Sequence, residues 1–297
     1  MTRTPITIVT GYLGSGKTTL LRQILDQTDR RLAIVMNEFG EVGIDGRILQ
    51  GKNVNMVELS GGCVCCSLTG EFEAAVREIV STIDPEAIVV ETTGVAEPDA
   101  LIVNVQDSIP EVRLDSVVTI VDADGMLKFP SLGHTGRVQI EMADLILINK
   151  TDLIPPEKWA EVESKVREVN ERAALVNTVR CNIDTGLLFG TRTVKKTESK
   201  VRRHLEEEQI EAFTYSSLAV LDRERFEEFL GSLPREIYRA KGFVNFRGGQ
   251  YLVNYVAGRW EFEEFQGNRN RLVFIGKNAN DHQGSITELL RDCEIKM

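Results

Sequence analysis

Glycines, a lysine and a threonine near the N-terminus follow the pattern G-x-x-x-x-G-K-[ST], which can bind phosphate. The segment runs Gly11-Tyr12-Leu13-Gly14-Ser15-Gly16-Lys17-Thr18. A β-branched apolar run at 6–10 precedes it, and a helical pattern of leucines follows it. Glycines let the backbone N–H groups point at phosphate oxygens, and the N-terminus of the helix adds a partial positive charge. The segment therefore predicts a binding site for nucleotide phosphates.

Individual residues of this P-loop (residues 11–18) and of a later strand have expected roles. Lys17 is expected to contact the β- and γ-phosphates, and the Thr18 hydroxyl to ligate Mg²⁺. The apolar run 87–90 ends in Glu91, which would complete the magnesium site. The alternative for Glu91 is a solvated acid at a strand end. Gly94 would donate its N–H to the γ-phosphate. The expected phosphate-binding residues are Gly11, Gly14, Ser15, Gly16, Lys17, Thr18, Thr19 and Gly94, with Lys17, Thr18 and Glu91 as the catalytic residues.

The base of the nucleotide is predicted by a second motif, N-K-x-D, formed by Asn149, Lys150, Thr151 and Asp152 after the apolar run 145–148. The carboxylate of Asp152 can accept hydrogen bonds from both N1–H and the 2-amino group of guanine. Adenine has neither donor. Asn149 would tie this segment to the P-loop, and the stem of Lys150 would cover the face of the base. The motif therefore predicts GTP as the ligand.

Three of the five cysteines, Cys63, Cys65 and Cys66, follow two glycines in a predicted loop. Thiolates are soft ligands and favour Zn²⁺, Cu(I) or Co²⁺ over hard ions such as Mg²⁺. We expect two or three of these thiolates to bind one ion together with an outside ligand. A redox role for the cluster stays open.

The segment 37–45 follows the second apolar run, where a nucleotide-sensing switch loop would lie. Its acids Glu38 and Glu41 are candidates for nucleotide sensing or metal capture, and Glu38 is the expected outside ligand of the transition metal. The alternative for both is a solvated acid in a loop.

The arrangement of apolar runs predicts the scaffold that positions these residues. Near-continuous apolar strands alternating with helical patterns are typical of a parallel sheet covered on both faces. We expect an α/β fold, with a P-loop NTPase sheet in residues 1–190, a charged linker in 191–208 and a smaller α+β domain in 209–297. The first domain should have strands at 6–10, 32–36, 87–90, 117–121 and 145–148. The second should have strands at 211–217, 243–247, 250–256, 259–263 and 271–275.

Composition restricts the class of partner. The 297 residues include 45 acidic and 35 basic side chains, which give a net charge of −10. This field repels phosphate backbones and anionic lipids. No apolar run approaches the roughly 20 residues that cross a bilayer, and the first residues lead into a strand rather than a signal peptide. We expect a cytoplasmic protein that binds neither nucleic acid nor membrane.

In its motifs and their order, the chain resembles the CobW/YjiA family of P-loop GTPases, relatives of the nickel chaperones UreG and HypB. The resemblance covers nearly the whole chain and rests on GYLGSGKTTLL, NEFGE, GGCVCC, ETTG, NKTD and the later RAKG. It implies GTP-driven metal insertion or metal homeostasis, most often with zinc, and with cobalt in cobalamin synthesis or nitrile hydratase maturation. The chain departs from the family in lacking a His-rich tract, since it has only three histidines. Tyr12 also stands where some dimer-forming relatives have a lysine.

Together these observations favour a GTP-hydrolysing metallochaperone that delivers its metal to a client metalloprotein. The sequence has no clear general base, so intrinsic turnover should be slow. One alternative is a metal sensor switched by GTP without significant turnover, and another is a small-molecule kinase with a structural zinc. A nucleotide- or metal-dependent homodimer stays open.

Overall fold

The computed structural model describes residues 3–28, 30–36, 54–58, 69–129, 132–189, 210–265 and 269–295. The chain divides into two compact units, residues 3–183 and residues 184–297. None of the helices in the described ranges has the length and apolar content needed to cross a membrane.

The described part of the first unit contains a seven-stranded parallel sheet with the strand order β3-β2-β4-β1-β5-β6-β7. This arrangement confirms the expected fold class. The five predicted strands are all present, and β3 and β7 are additional strands at the two edges. The strands are β1 (Thr4–Gly11), β2 (Leu32–Met36), β3 (Val54–Glu58), β4 (Ala87–Glu91), β5 (Val112–Asp122), β6 (Leu145–Asn149) and β7 (Ala174–Thr178).

Six α-helices of the first unit lie within the described ranges, and apolar side chains of all but the first of them pack on the sheet in two clusters. Ile8 and Val90 of the sheet pack with Phe72 in one cluster, and Ile148 packs with Val162 in the other. Burial of such side chains stabilises each helix against the sheet. The helices are α1 (Lys17–Gln27), α2 (Thr69–Ile83), α3 (Asp99–Asp107), α4 (Ala123–Lys128), α5 (Gly133–Glu141) and α6 (Trp159–Arg167).

The second unit contains a five-stranded antiparallel sheet with the order β11-β10-β9-β12-β8. Its core is rich in aromatic side chains, among them Phe226, Phe246 and Phe274. Its elements are α7 (Gly186–Phe189), β8 (Ile210–Ser217), α8 (Arg223–Gly231), β9 (Ile237–Phe246), β10 (Gly249–Val256), β11 (Arg259–Phe265), β12 (Asn270–Lys277) and α9 (Gln283–Asp292).

Helix α7 belongs to the second unit, whereas the sequence pattern predicted residues 184–189 as part of the first domain. The side chain of Arg239, only 1% exposed, donates through Nη1 to Leu188 O at 2.9 Å and Leu187 O at 3.4 Å. Lys241 Nζ donates to Phe189 O at 3.4 Å. The last carbonyl groups of a helix have no N–H donor within the helix. Here the side chains of Arg239 and Lys241 in β9 supply the donors. The expected linker, 191–208, lies outside the described residues.

Substitution of Arg239 by methionine is expected to destabilise the second unit by about 2 to 4 kcal/mol, because buried carbonyls lose their donors. Urea unfolding followed by fluorescence of Trp260 checks this in a Trp159→Phe background, where Trp260 is the remaining one of two tryptophans. The exposed Arg247 is a matched control, since its replacement by methionine should change stability by less than about 0.5 kcal/mol. Equal unfolding midpoints for both variants would contradict the prediction.

Candidate nucleotide-binding site

The predicted nucleotide-binding residues follow the carboxyl ends of neighbouring strands. Strand β1 lies between β4 and β5, and Val9 is in register with Glu91. Asp122 at the end of β5 is in register with Asn149 at the end of β6. In open parallel sheets, ligands bind outside these strand ends, at the point where the strand order reverses.

Three glycines give the P-loop its backbone path. Gly11, Gly14 and Gly16 have φ values of +136°, +75° and +121°. A Cβ atom at Gly11 would collide with Ile120 O, and one at Gly16 would lie 2.5 Å from Asn149 Nδ2. Backbone conformation therefore favours glycine at all three positions, and close packing against β5 and β6 also requires it at Gly11 and Gly16.

Lys17 lies at the start of α1 with its ammonium turned back into the loop. Nζ donates to Gly11 O at 2.9 Å and to Tyr12 O at 3.2 Å. Burial lowers the pKa of Lys17, and the nearby carboxylate of Glu91 opposes this shift. The N-cap of α1 is Gly16, without a capping side chain, and the first turn has no acidic residue. This helix start therefore keeps a positive end that suits an anion.

Thr18 and Thr19 follow Lys17 in the first turn of α1, and both side chains are half-buried. Ser15 is fully buried, and its backbone N–H donates to Tyr12 O at 3.1 Å. The expected phosphate-binding residues of the P-loop are thus contiguous around the start of one helix.

The segment after β4 is held against the P-loop. Thr92 Oγ1 donates to Thr10 Oγ1 at 2.9 Å, and Gln139 Nε2 of α5 donates to Ala96 O at 2.9 Å. A Cβ atom at Gly94 would lie 2.5 Å from Leu13 N. The structure therefore brings Gly94 into direct contact with the P-loop, beside the half-buried Glu91.

Replacement of Gly94 by alanine is expected to push this segment away from the P-loop, because the added Cβ meets backbone that cannot move aside cheaply. Overpacking of this kind costs about 1 to 3 kcal/mol. If Gly94 senses the γ-phosphate, affinity for a non-hydrolysable GTP analogue should fall about tenfold or more, while GDP affinity changes less. Calorimetry with both nucleotides measures the difference.

Gly70→Ala is the control for that substitution, because a Cβ atom at Gly70 in α2 would meet nothing within 4 Å. The added methyl group there should leave nucleotide binding unchanged and stabilise the helix by up to about 1 kcal/mol. A Gly94→Ala variant that binds both nucleotides like the wild type would contradict a γ-phosphate role for this glycine.

Asn149 connects three loops from a buried position. Its Nδ2 donates to Ser15 O at 2.8 Å, and its Oδ1 accepts from Cys181 N at 2.9 Å and from Thr178 Oγ1 at 3.2 Å. The amide therefore links the P-loop, the N-K-x-D segment and the loop that follows β7.

Lys150 and Asp152 lie on the turn that follows β6. Lys150 has left-handed backbone with φ +65°, and its ammonium lies 2.5 Å from Asp122 Oδ2. Asp152 lies in a 3₁₀ turn (Thr151–Leu153) with its side chain exposed. Its carboxylate is accessible to a base that binds beside Lys150.

Cys181 and Asp122 make contacts in this region that the sequence did not indicate. Cys181 is fully buried, and its Sγ donates to Gly16 O at 3.4 Å. Burial raises the pKa of this thiol to about 12, although the charge of Lys150 opposes the shift. Asp122 has the same sequence signal as Glu91, a polar residue directly after a buried apolar strand. Cys181 has no such signal, because only the tertiary fold brings it to the P-loop.

The predicted metal ligands Cys63, Cys65, Cys66 and Glu38 lie outside the described residues, as does the segment 37–45. Within the described ranges, no group of three or more His, Cys, Asp or Glu side chains could hold a metal ion. Cys181 and Cys293, the cysteines in those ranges, are free and buried.

The parallel sheet, with a phosphate loop after its central strand, defines a P-loop nucleotide-binding protein. Residues 5–177 match the family model described as CobW/HypB/UreG, nucleotide-binding domain. Residues 210–294 match the model described as cobalamin synthesis protein cobW C-terminal domain. The chain belongs to the CobW/HypB/UreG family.

The chain is similar to the zinc chaperone CobW of Pseudomonas aeruginosa, with 30% identity over 98% of this chain and 92% of the relative. The zinc-regulated GTPase metalloprotein activator 1 of Schizosaccharomyces pombe is 37% identical over 61% of this chain and 47% of the relative. Among solved structures, the Zn(II)-bound YjiA GTPase from E. coli aligns with a TM-score of 0.48 and 23% identity, covering 99% of this chain and 100% of that one.

Proposed function

We propose that this protein is a GTP-hydrolysing metallochaperone that binds Zn²⁺ at Cys63, Cys65 and Cys66 and delivers it to a client metalloprotein. The main structural support for the GTPase activity is the hydrogen bond from Asn149 Nδ2 to Ser15 O, which joins the N-K-x-D motif to the P-loop. The main support for metal binding is the C-x-C-C cluster in the sequence. Family membership and the names of the relatives support both the GTPase activity and metal binding.

In this proposal the nucleotide phosphates bind at the start of α1. The Lys17 ammonium already donates to two carbonyls of its own loop, and the helix start has no side chain that neutralises it. A polyphosphate would supply the missing negative charge. Thr18 and Glu91 would hold Mg²⁺, which supplies charge neutralisation between the β- and γ-phosphates when it is bound.

The base would bind beside the turn that carries Lys150 and Asp152. Asp152 would accept both guanine donors, and the stem of Lys150 would cover the base. Because the sequence has no clear general base, we expect turnover near 10⁻⁴ to 10⁻² s⁻¹, roughly the range of GTPases that act without a stimulating partner.

The transition metal is the cargo of the proposed chaperone. Thiolates of the C-x-C-C segment suit Zn²⁺, with Co²⁺ as the variant that the family offers, and Glu38 is the proposed outside ligand. Because a cluster of cysteines stays reduced in a reducing compartment, the proposal includes a cytoplasmic location. The client would be a metalloprotein that receives the ion when the loop releases it.

Single-turnover hydrolysis with Mg²⁺, compared for GTP and ATP, tests the proposed activity with zinc present and absent. The proposal predicts slow GTP hydrolysis and no detectable ATP hydrolysis at the same concentration. Survival of bound GTP for many hours with zinc present would instead support a sensor. Preference for ATP with phosphate transfer to a small acceptor would support a kinase, and either outcome would overturn the proposal.

A further inference from the structure

Asp122, the last residue of β5, makes two separate interactions with its two carboxylate oxygens. Oδ1 accepts from the backbone N–H of Gly125 at 3.0 Å and caps α4. Oδ2 accepts from Lys150 Nζ at 2.5 Å. The Lys150 and Asp122 side chains are only 32% and 26% exposed. The ion pair is thus partly shielded from water, where charge-assisted hydrogen bonds are strong.

The pair joins two neighbouring strand ends. Asp122 is in register with Asn149, and Lys150 follows Asn149 directly in left-handed backbone. The positive charge of Lys150 also acts on Cys181, whose Sγ contacts Gly16 O. The lysine is therefore fixed at both ends, by its backbone beside the buried Asn149 and by its ammonium on β5.

From this geometry we propose that Asp122 is a positioning residue for guanine recognition. It anchors the ammonium of Lys150, so that the four-carbon stem is held in one orientation beside Asp152 and presents a preformed apolar surface to the base. This inference rests on the proposed function, since it assigns a role within the guanine site.

A free lysine side chain would sample many rotamers, and fixing it on binding costs conformational entropy. The ion pair removes that cost before the nucleotide arrives, which is the energetic benefit of a preorganised site. Asp122 therefore acts through Lys150 and needs no contact of its own with the nucleotide.

Asp122→Asn is the discriminating substitution. Asparagine is as good an N-cap as aspartate, so the bond to Gly125 N can persist, while the charge that holds Lys150 is lost. Affinity for GDP should fall about tenfold. Affinity for magnesium pyrophosphate, which has no base, should stay within about twofold. Calorimetry on the full chain measures both ligands, and thermal unfolding checks that the variant is folded.

A matched control lies two residues away. Asp124 forms a 2.7 Å ion pair with Lys128 on the same helix, so Asp124→Asn removes a comparable charge pair and should leave GDP affinity unchanged. A double-mutant cycle with Lys150→Met adds a second readout. In the Lys150→Met background, Asp122→Asn should weaken GDP binding no further.

Failure of this inference is distinguishable from failure of the proposed function. A wild-type protein that binds ADP as tightly as GDP would overturn the guanine site itself. A wild-type preference for GDP, together with an Asp122→Asn variant that binds GDP normally, would overturn only the role of Asp122. Additive losses in the cycle, or an equal loss of pyrophosphate affinity, would likewise contradict positioning through Lys150.

Discussion

Replacement of Asp152 by asparagine is expected to lower GTP affinity about a hundredfold. The proposed site uses the carboxylate to accept two hydrogen bonds from guanine, and charge-assisted bonds contribute roughly 1.5 to 3 kcal/mol each. An amide offers one acceptor and places a donor against a guanine donor. The same amide suits the 2-oxo group of xanthine, so affinity for xanthosine triphosphate should rise. Competition calorimetry with both nucleotides measures the switch.

Asp281 provides the control for this substitution. It lies exposed in a 3₁₀ turn (Ala279–His282) that follows Asn278 in left-handed backbone, just as the turn that contains Asp152 follows Lys150. Asp281→Asn should leave nucleotide binding untouched. Unchanged GTP affinity in the Asp152→Asn variant would remove the basis for guanine recognition at this turn.

Alanine at Cys65 or Cys66 is expected to lower Zn²⁺ affinity by at least about a hundredfold, because loss of an outer-shell partner alone typically costs about 10- to 100-fold. Nucleotide binding should stay largely intact. Competition with a chromophoric chelator, in the presence of a reductant, measures the zinc affinity of each variant.

The buried Cys293 is the control for the metal site. It lies in the hydrophobic core of the second unit, and burial raises the pKa of its thiol to about 11, which disfavours the thiolate that a metal needs. Cys293→Ala should leave zinc binding unchanged. Equal losses for all five cysteines would show that the C-x-C-C cluster is not the site.

In the parallel sheet of the first unit, the strands predicted from the sequence were the interior ones, and the two strands that were not predicted lie at its edges. Runs such as 32–36 and 145–148 are buried at every position, so their apolar character is continuous. The edge strand Ala174–Thr178 alternates between buried and half-buried residues and contains Asn177. Its pattern is too short and too polar to stand out from a loop.

Polar residues also hid the beginning of β9 in the sequence. This strand begins at Ile237, whereas the sequence pattern predicted a strand only from residue 243. Arg239 and Lys241 make the beginning of this strand look like a solvated surface. In the structure Arg239 is buried because it binds the carbonyls of α7 and Asn254 Oδ1. A buried arginine with partners distant in sequence cannot be recognised from local pattern.

Spacing within contiguous motifs was informative for the nucleotide site, since the P-loop and N-K-x-D each imply their own geometry. The contacts of Asp122 with Lys150 and of Cys181 with Gly16 join residues far apart in the chain, and no local spacing shows them. Asp122 lies 28 residues before its ion-pair partner, and Cys181 lies 165 residues after Gly16.

Coupling between nucleotide and metal is the central claim of the chaperone mechanism. In chain order, Cys63, Cys65 and Cys66 lie between the segment 37–45 and the segment 91–94. The second of these segments includes Gly94, which packs directly on Leu13 of the P-loop. A γ-phosphate that orders both segments would also act on the loop between them.

Zinc affinity measured with Mg²⁺ and a non-hydrolysable GTP analogue, against zinc affinity with Mg²⁺ and GDP, tests this claim most directly. Zinc should bind more tightly in the GTP state, by about 5- to 150-fold for a typical coupling free energy. Reciprocity requires zinc to strengthen binding of the analogue relative to GDP by the same factor. Equal zinc affinities in the two nucleotide states would contradict the mechanism, because hydrolysis would then have no means of releasing the metal to a client.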